Sequence, residues 1–442
     1  MNFVVRDDGD TAGDWMMYEQ YKKIDQVWLP HIPAQWKVEK IKHLFAERVE
    51  KGYPHELLLV SSQSMGVVPK SVYGNRTVEA QKDLHLLKLV RKGDFVISLR
   101  AFQGGIEYAY YQGIISPAYT IMVNKGNIVS PYFKYLAKSS VFIDLLRLCV
   151  TGIREGQNID YNRLKNFKIP VPPRTEQDQI VRFLDWKVSA INRLIGINEK
   201  RRSMIQELVA KKFGDISSKA TNYVKLKYIS SLVNDFIEIE KNKYYIKTGM
   251  YNRGRGIFRR EPIPGEDMGD SIFQRVHANC VMISGQFAWE AAVYITTRKD
   301  EIGVASHRYY LLDSGENLPP EYVWCFLMSD YGQLQMKMCS HGAAGRNRPL
   351  NINELLNVYI PLPDAISDVA DLVNMVHKLM MLRENIDKSN QTLEELKTRL
   401  IADTVTGKID VRNIEIPDYE FVGEESQAEE EIDAEGSENE KE

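Results

Sequence analysis

Two long stretches of the sequence place apolar residues seven positions apart, a pattern typical of long helices that pack along one face. They are residues 171–214 and 363–412, and each is longer than an ordinary globular helix. We predict that they form two spacer helices whose seams cover each other as an antiparallel coiled coil. The seam residues are Leu184, Ile191, Asn198, Ile205 and Lys212 in the first stretch and Leu372, Leu379, Ile386, Leu393 and Leu400 in the second, with Val188, Leu194 or Ile195, Leu208, Met375, Leu382 and Leu396 between them.

Two alternatives remain open for these helices. Each could be an ordinary amphipathic helix lying on its own domain. The polar residues Asn198 and Lys212 could fix the alignment of the pair, as buried polar residues do in coiled coils, or could simply face solvent.

The segments before the two helices are related by an internal repeat. IDYNRLKNFKIPVP at 159–172 aligns with LNINELLNVYIPLP at 350–363, and GDFVIS at 93–98 aligns with NCVMIS at 279–284. The repeat is about half the chain, so we expect two similar modules with pseudo-two-fold symmetry. Because each module precedes its helix, antiparallel pairing would send the modules to opposite ends of the helix pair.

Short β-rich runs alternate with turns and helical segments in both modules, which predicts mixed α/β domains. The predicted fold class is α+β, with two such domains separated by the pair of antiparallel helices. The predicted boundaries are an N-terminal extension at 1–27, domain 1 at 28–170, helix 1 at 171–214, domain 2 at 215–362, helix 2 at 363–412 and an acidic disordered tail at 413–442.

The charge of the chain is unevenly distributed. The net charge is −3, yet residues 423–442 hold ten acidic residues and one lysine, so residues 1–422 carry +6. The tail has too few apolar residues to fold, and the mildly basic remainder permits a polyanionic partner. No signal-like or membrane-length apolar run occurs, so we expect a cytoplasmic protein. The four cysteines form no C-x-x-C pair, so we expect reduced, buried thiols and no metal site.

Residues 241–260 combine seven basic residues with four aromatic ones and no acidic residue. Arginines can bind phosphates or guanine edges, and glycines allow the backbone to approach a ligand closely. This stretch is the strongest nucleic-acid candidate in the sequence, and a solvated basic loop is the alternative. Its candidate residues are Lys247, Tyr251, Arg253, Arg255, Arg259 and Arg260.

A second pair of candidates lies at equivalent places in the repeat, in the glycine-containing stretches 151–162 and 341–351. Amides and guanidinium groups are suited to reading adenine and guanine, although helix capping or loop hydrogen bonding would also explain these residues. The candidates here are Arg154, Gln157, Asn158, Arg346, Asn347 and Arg348, and weaker candidates elsewhere are Gln63, Arg76, Arg100, Gln103, Arg275 and Trp289.

Sequence patterns of catalysis are missing from the chain. We find no G-x-x-x-x-G-K-[ST], G-x-S-x-G, H-E-x-x-H or G-x-G-x-x-G motif. The sequence therefore favours a non-catalytic protein, with an enzyme whose catalytic residues are dispersed as an alternative.

Three segments carry a resemblance to a known family: LPHIPAQWKVEKIKHLF at 29–45, IPVPPRTEQDQIVRFLD at 169–185 and ELKTRLIADTVTGKI at 395–409. The chain resembles the specificity subunit of type I restriction-modification systems. The resemblance implies two target recognition domains that each read one half of a bipartite site in double-stranded DNA, with the helices setting the spacing.

The resemblance also implies partners and the cofactors that they bring. Two modification (methyltransferase) subunits would bring S-adenosylmethionine, and restriction (motor-nuclease) subunits would bring ATP and magnesium, while this chain would hold no cofactor. Glu176-Gln177 of the first repeat has no counterpart in the second, so partner docking would be less secure at the second copy. The alternative from another class is a coiled-coil interaction scaffold without sequence-specific DNA binding.

Overall fold

The computed structural model describes residues 16–73, 83–99, 101–151, 158–252, 254–314, 318–342, 348–364 and 366–423. The chain divides into two compact units that share two long helices. Unit 1 contains residues 1–197 and 389–442, and unit 2 contains residues 198–388.

Unit 1 is built from short strands, short helices and one end of each long helix. Its strands are β1 Tyr21–Lys23, β2 His31–Pro33, β3 Lys37–Lys40, β4 Phe45–Arg48, β5 Leu59–Ser62, β6 Gly66–Pro69, β7 Lys88–Val90, β8 Phe95–Ile97, β9 Glu107–Tyr108, β10 Gly113–Ile115, β11 Thr120–Asn124, β12 Val150–Thr151, β13 Asn158–Ile159 and β14 Lys168–Val171. Its helices are α1 Ile41–Leu44, α2 Lys70–Tyr73, α3 Ala101–Gly104, α4 Ser130–Lys138, α5 Ser140–Leu148, α6 Tyr161–Leu164 and the first part of α7 Arg174–Ser217.

Unit 2 repeats this plan. Its strands are β15 Asn222–Lys225, β16 Ser231–Val233, β17 Phe236–Ile237, β18 Tyr244–Tyr245, β19 Thr248–Tyr251, β20 Gly256–Arg259, β21 Ile263–Pro264, β22 Phe273–Arg275, β23 Val281–Ser284, β24 Val293–Ile295, β25 Val304–Ser306, β26 Tyr309–Asp313 and β27 Tyr359–Leu362. Its helices are α8 Pro320–Met328, α9 Asp330–Met338, α10 Ile352–Leu356, the first part of α11 Ile366–Val405 and a 3-10 turn at Ala288–Glu290.

Each unit is centred on a four-stranded antiparallel sheet with the same strand order. The order is β4-β11-β8-β9 in unit 1 and β16-β26-β23-β24 in unit 2. In unit 1 the ring of Phe133 from α4 packs against Phe45 and Phe95 of the sheet, with centroids 4.4 and 4.8 Å away. Burial of such aromatic rings is a main source of stability in a domain core.

Equivalent residues make the same contacts in the two units, which confirms the internal repeat. The hydroxyl of Tyr132 donates to the carbonyl of Pro170 in unit 1, and that of Tyr322 donates to Pro361 in unit 2. The junctions between α4 and α5 and between α8 and α9 each hold a serine, Ser139 or Ser329. Both serine side chains cap the following helix.

The long helices run antiparallel, as predicted. In unit 1 the amide of Gln179 donates to the carbonyls of Val411 and Ile414, just beyond the end of α11. Farther along α7, Asn192 accepts a hydrogen bond from Lys397, which lies earlier in α11. In unit 2 the last part of α7 packs with the first part of α11, because Val209 and Phe213 share one buried cluster with Leu372 and Val376.

The predicted seam is correct at most heptad positions and wrong at several positions between them. Leu208 is 52% exposed, and its neighbour Val209 is buried in its place. Leu382 is 46% exposed, whereas its neighbour Arg383 is only 4% exposed.

The open alternatives for the first helix are also decided. Of Leu194 and Ile195, Ile195 is the buried residue. Asn198 is buried in the seam, and Phe213 takes the seam position predicted for Lys212. An α-helix drifts by about 20° per heptad relative to a strict seven-residue repeat, so the buried face moves to the next residue.

Both terminal segments pack on unit 1 over part of the ranges predicted to be an extension and a tail. Tyr18 is buried, and Asp410 donates its backbone N–H to the carbonyl of Met16. Residues 413–423 lie along α7, where Asn192 donates to the carbonyl of Val422 and the Ser189 hydroxyl accepts the Val422 N–H. Residues 1–15 and 424–442 lie outside the described residues.

The four cysteines are buried and unpaired with each other, as expected. Burial raises the pKa of both Cys149 and Cys280 to about 11, so these thiols stay protonated at neutral pH. Within the described parts of the chain, no group of three or more metal-ligating side chains comes together. In those same parts, no helix is both long and apolar enough to cross a bilayer.

Candidate nucleic-acid interface

In unit 2 the tip of the β19–β20 hairpin is fastened to the 3-10 turn that follows β23. The Asn252 amide donates to the Glu290 carboxylate, and the Gly254 N–H donates to the Ala291 carbonyl at 2.7 Å. Gly254 and Gly256 have φ values of +60° and +112°, a backbone conformation that favours glycine. The hairpin at the centre of the basic, aromatic stretch 241–260 is therefore held in a fixed position.

The same 3-10 turn contacts stretch 341–351, the other candidate nucleic-acid-binding stretch of unit 2. The indole N–H of Trp289 donates to the Gln286 carbonyl at 3.1 Å, and the Arg348 guanidinium lies 5.4 Å from the centre of the indole ring. Arg348 is exposed and directly follows residues 343–347, which lie outside the described residues. Two stretches distant in sequence, 241–260 and 341–351, therefore meet at residues 288–291.

An aromatic pair with a cation above it lies on the hairpin. The rings of Tyr251 and Phe258 are 4.8 Å apart, and the Arg255 guanidinium lies 5.5 Å from the centre of the Tyr251 ring. The Arg255 Nε also donates to the Asn252 carbonyl at 3.1 Å. Tyr251 is exposed, so this surface presents an aromatic face and positive charge together, as surfaces that bind nucleic acid do.

Two predicted arginines of unit 2 are bound to carboxylates. Arg259 forms an ion pair with the buried Asp300, and Arg275 forms one with Asp235 at 3.1 Å. Hydrogen bonds from His277 and Arg275 lower the pKa of the Asp235 carboxyl, so this pair persists at neutral pH. These two arginines are less suited to binding DNA than the sequence indicates.

The remaining candidates in this stretch are Lys247 and Arg260. Lys247 lies 5.8 Å from the centre of the Phe273 ring, and its carbonyl accepts the Arg260 N–H. The Arg260 side chain is exposed at the base of the hairpin.

Unit 1 has an equivalent arrangement. Gln63 lies at the tip of the β5–β6 hairpin and packs on Gly104 of α3, where an added Cβ would lie 2.5 Å from the Gln63 side chain. The Lys138 ammonium joins the two by donating to the carbonyls of Gln63 and Gly104. Gln103 is exposed beside this contact. Here too, a hairpin tip packs on a short helix that follows the third strand of the sheet, β8.

The repeated stretches 151–162 and 341–351 take part in the same antiparallel pairing in both units. Strand β12 pairs with β13 around residues 152–157, and Ser340 bridges Leu350 around residues 343–347. The short helices that follow are capped by Asp160 and Asn351. Capping is therefore done by these residues, and the candidate Asn158 keeps an exposed side chain.

The remaining predicted residues lie outside the described residues. They are Arg76, Arg100, Arg154, Gln157, Arg253, Arg346 and Asn347.

The Glu176-Gln177 pair is buried, contrary to its predicted role in docking. The Glu176 carboxylate accepts hydrogen bonds from the Tyr18 hydroxyl and from the Trp36 indole N–H, the latter at 2.7 Å. Gln177 accepts the N–H of Val129 and donates to the carbonyl of Pro172. Glu176 thus holds the N-terminal segment in unit 1, and Gln177 ties the start of α7 to the residue before α4. The absence of the pair from the second repeat says nothing about docking there.

Sequence reasoning gave Trp289 too little weight and missed Lys138. Trp289 follows the repeated strand NCVMIS, 186 residues after Gln103, and this repeat register was the available signal. No motif marks Lys138, because its partners on the hairpin and on α3 are distant in sequence.

Comparisons with known proteins agree with this architecture. The family described as "Type I restriction modification DNA specificity domain" matches residues 35–206. The type I restriction enzyme MjaVIII specificity subunit of Methanocaldococcus jannaschii is 22% identical over 356 residues, which cover 74% of this chain and 81% of that protein. The putative type I restriction enzyme MjaX specificity subunit of the same organism is 22% identical over 434 residues, 89% of this chain and 97% of that protein.

A solved structure shares the fold. It comes from work on complex assembly and conformational transition of the type I R-M system, and it aligns with a TM-score of 0.55 and 15% identity over 86% of this chain and 99% of that one. The family match, the curated relatives and the duplicated architecture together support the assignment of this chain to the specificity subunits of type I restriction-modification systems.

Proposed function

We propose that each unit reads one half of a bipartite sequence in double-stranded DNA and that this chain supplies recognition while partner subunits supply the chemistry. The observation that carries the proposal is the arrangement repeated in both units, a hairpin tip fixed against a short helix or turn after the third sheet strand. Two equivalent, separately folded surfaces suit two half-sites. The protein would then work in the cytoplasm.

The exposed side chains at these surfaces have the chemistry that base reading needs. Gln63, Gln103 and Asn158 present amides in unit 1, and Arg348 presents a guanidinium in unit 2. Amides pair with adenine edges and guanidinium groups with guanine edges in the major groove. Arg255 and Arg260 on the unit 2 hairpin are placed to contact phosphates, which position a protein on DNA without reading sequence.

DNA binding by the purified chain tests this proposal. We expect the affinity for duplex DNA to fall by a hundredfold or more between about 50 and 200 mM salt, because each neutralised phosphate releases counterions. Arg260→Gln should lower the slope of log affinity against log salt by about one.

Arg193→Gln is the matched control for this measurement. Arg193 is an exposed arginine on α7, ion-paired with Glu420, so its removal should leave the slope unchanged. Absence of salt-sensitive binding would contradict the proposal and favour an interaction scaffold.

We further propose that two modification subunits dock on the long helices. Leu194 on α7 and Leu382 on α11 lie 188 residues apart, at the same position of the repeat, and both are exposed by about half. An exposed leucine on each long helix fits a docking contact with one partner copy in each unit. The modification subunits would bring S-adenosylmethionine, and restriction subunits would bring ATP and magnesium.

A further inference from the structure

Arg348 differs from the other candidate arginines of unit 2 in its partners. Arg259 and Arg275 are bound to carboxylates. Arg255 also lies over an aromatic ring, that of Tyr251, but its Nε donates to a backbone carbonyl. Among the described residues, Arg348 has no carboxylate partner, and its guanidinium lies over the Trp289 ring. Stacking leaves the edge donors of a guanidinium available, whereas a carboxylate occupies them.

Trp289 is itself fixed in place. Its indole N–H is bound to the Gln286 carbonyl, and its neighbours Glu290 and Ala291 are bound to Asn252 and Gly254 of the hairpin. A side chain stacked on a fixed ring loses less conformational freedom on binding than a free arginine does. Such an arginine suits a directional, two-bond contact with a base edge, because a phosphate contact tolerates many directions.

We propose that Arg348 reads a guanine in the half-site bound by unit 2 and that Trp289 is the positioning residue that orients it. The guanidinium donors of Arg348 would bind O6 and N7 of the guanine in the major groove. The inference rests on the proposed DNA-reading function and assigns one residue to one base. By the repeat register, position 348 corresponds to Gln157 in the first half, where an amide suited to adenine stands in place of the guanidinium.

The test selects bound duplexes from a randomised pool with the full-length chain in complex with its modification subunits. With Arg348→Gln we expect one guanine position of the selected motif to lose its preference by about tenfold to a hundredfold and to shift towards adenine, while all other positions stay unchanged. Trp289→Leu should relax the same position, and Trp289→Phe, which keeps an aromatic face, should retain the guanine.

Arg275→Gln is the matched control, since it removes an exposed arginine of the same unit that is held by Asp235. It should leave the motif unchanged. An unchanged motif with Arg348→Gln, whether binding is intact or uniformly weaker, overturns the inference, because Arg348 would then contact phosphate or solvent only. Failure of the unsubstituted complex to select any motif would instead overturn the proposed function. Arg348 is exposed, so its replacement should not prevent folding.

Discussion

Replacing Phe213 with alanine should lower the free energy of unfolding of unit 2 by about 4 kcal/mol. Phe213 is buried on α7, and its ring packs against Tyr322 and Phe326 of α8 at centroid distances of 5.3 and 6.1 Å. The substitution removes the ring that joins the helix to the module and leaves a cavity. Urea unfolding followed by circular dichroism should show an earlier transition for part of the chain.

Leu208→Ala provides the matched control on the same helix. Leu208 occupies a predicted seam position but is exposed, so its replacement should change stability by no more than about 0.5 kcal/mol. A large loss with Leu208→Ala and a small one with Phe213→Ala would show that the helix presents a different face to unit 2.

Aspartate in place of both Leu194 and Leu382 should abolish binding of the two modification subunits. A charge in each docking contact would have to be desolvated without a partner, which weakens binding strongly. Each single variant should retain one modification subunit and the double variant none. The mass of the purified complex, measured by light scattering, reports this stoichiometry directly.

Leu86→Asp is the control for this experiment, because Leu86 is similarly exposed in unit 1 but belongs to a short 3-10 turn, Leu84–Leu86, and not to a long helix. It should leave both modification subunits bound. A double variant that still binds two copies would show that docking uses another surface.

The sequence predicted the helices and the repeat because both depend on periodic features that a single chain displays. Leu184, Ile191 and Leu372 were identified correctly as seam residues. The prediction of Leu208 in the seam was wrong, because Leu208 and Val209 are both apolar and only packing decides which one is buried.

The candidate interface was predicted in part. The individual stretches 241–260 and 341–351 were found from their composition, whereas their meeting at Trp289 depends on tertiary contacts that no local pattern encodes. The pairing of Arg259 with Asp300 has the same origin, since the acidic partner lies 41 residues away.

The motif at Glu176-Gln177 shows a different kind of limit. The family resemblance implied a docking role for these two residues, and polar residues at the start of a helix are usually exposed. Tyr18 and Trp36 supply hydrogen-bond donors to the buried Glu176 from a segment that the sequence assigned partly to an extension. Polar residues in a motif can therefore be part of a core when their partners come from a distant segment.

The central claim is that one chain reads two separate DNA segments through two equivalent units. Sequencing the methylated bases in DNA from cells that express this chain with its modification subunits measures this directly. The account predicts a bipartite motif, with two short specified segments separated by a gap of fixed length and unspecified sequence. A single continuous motif, or methylation without sequence preference, would contradict it.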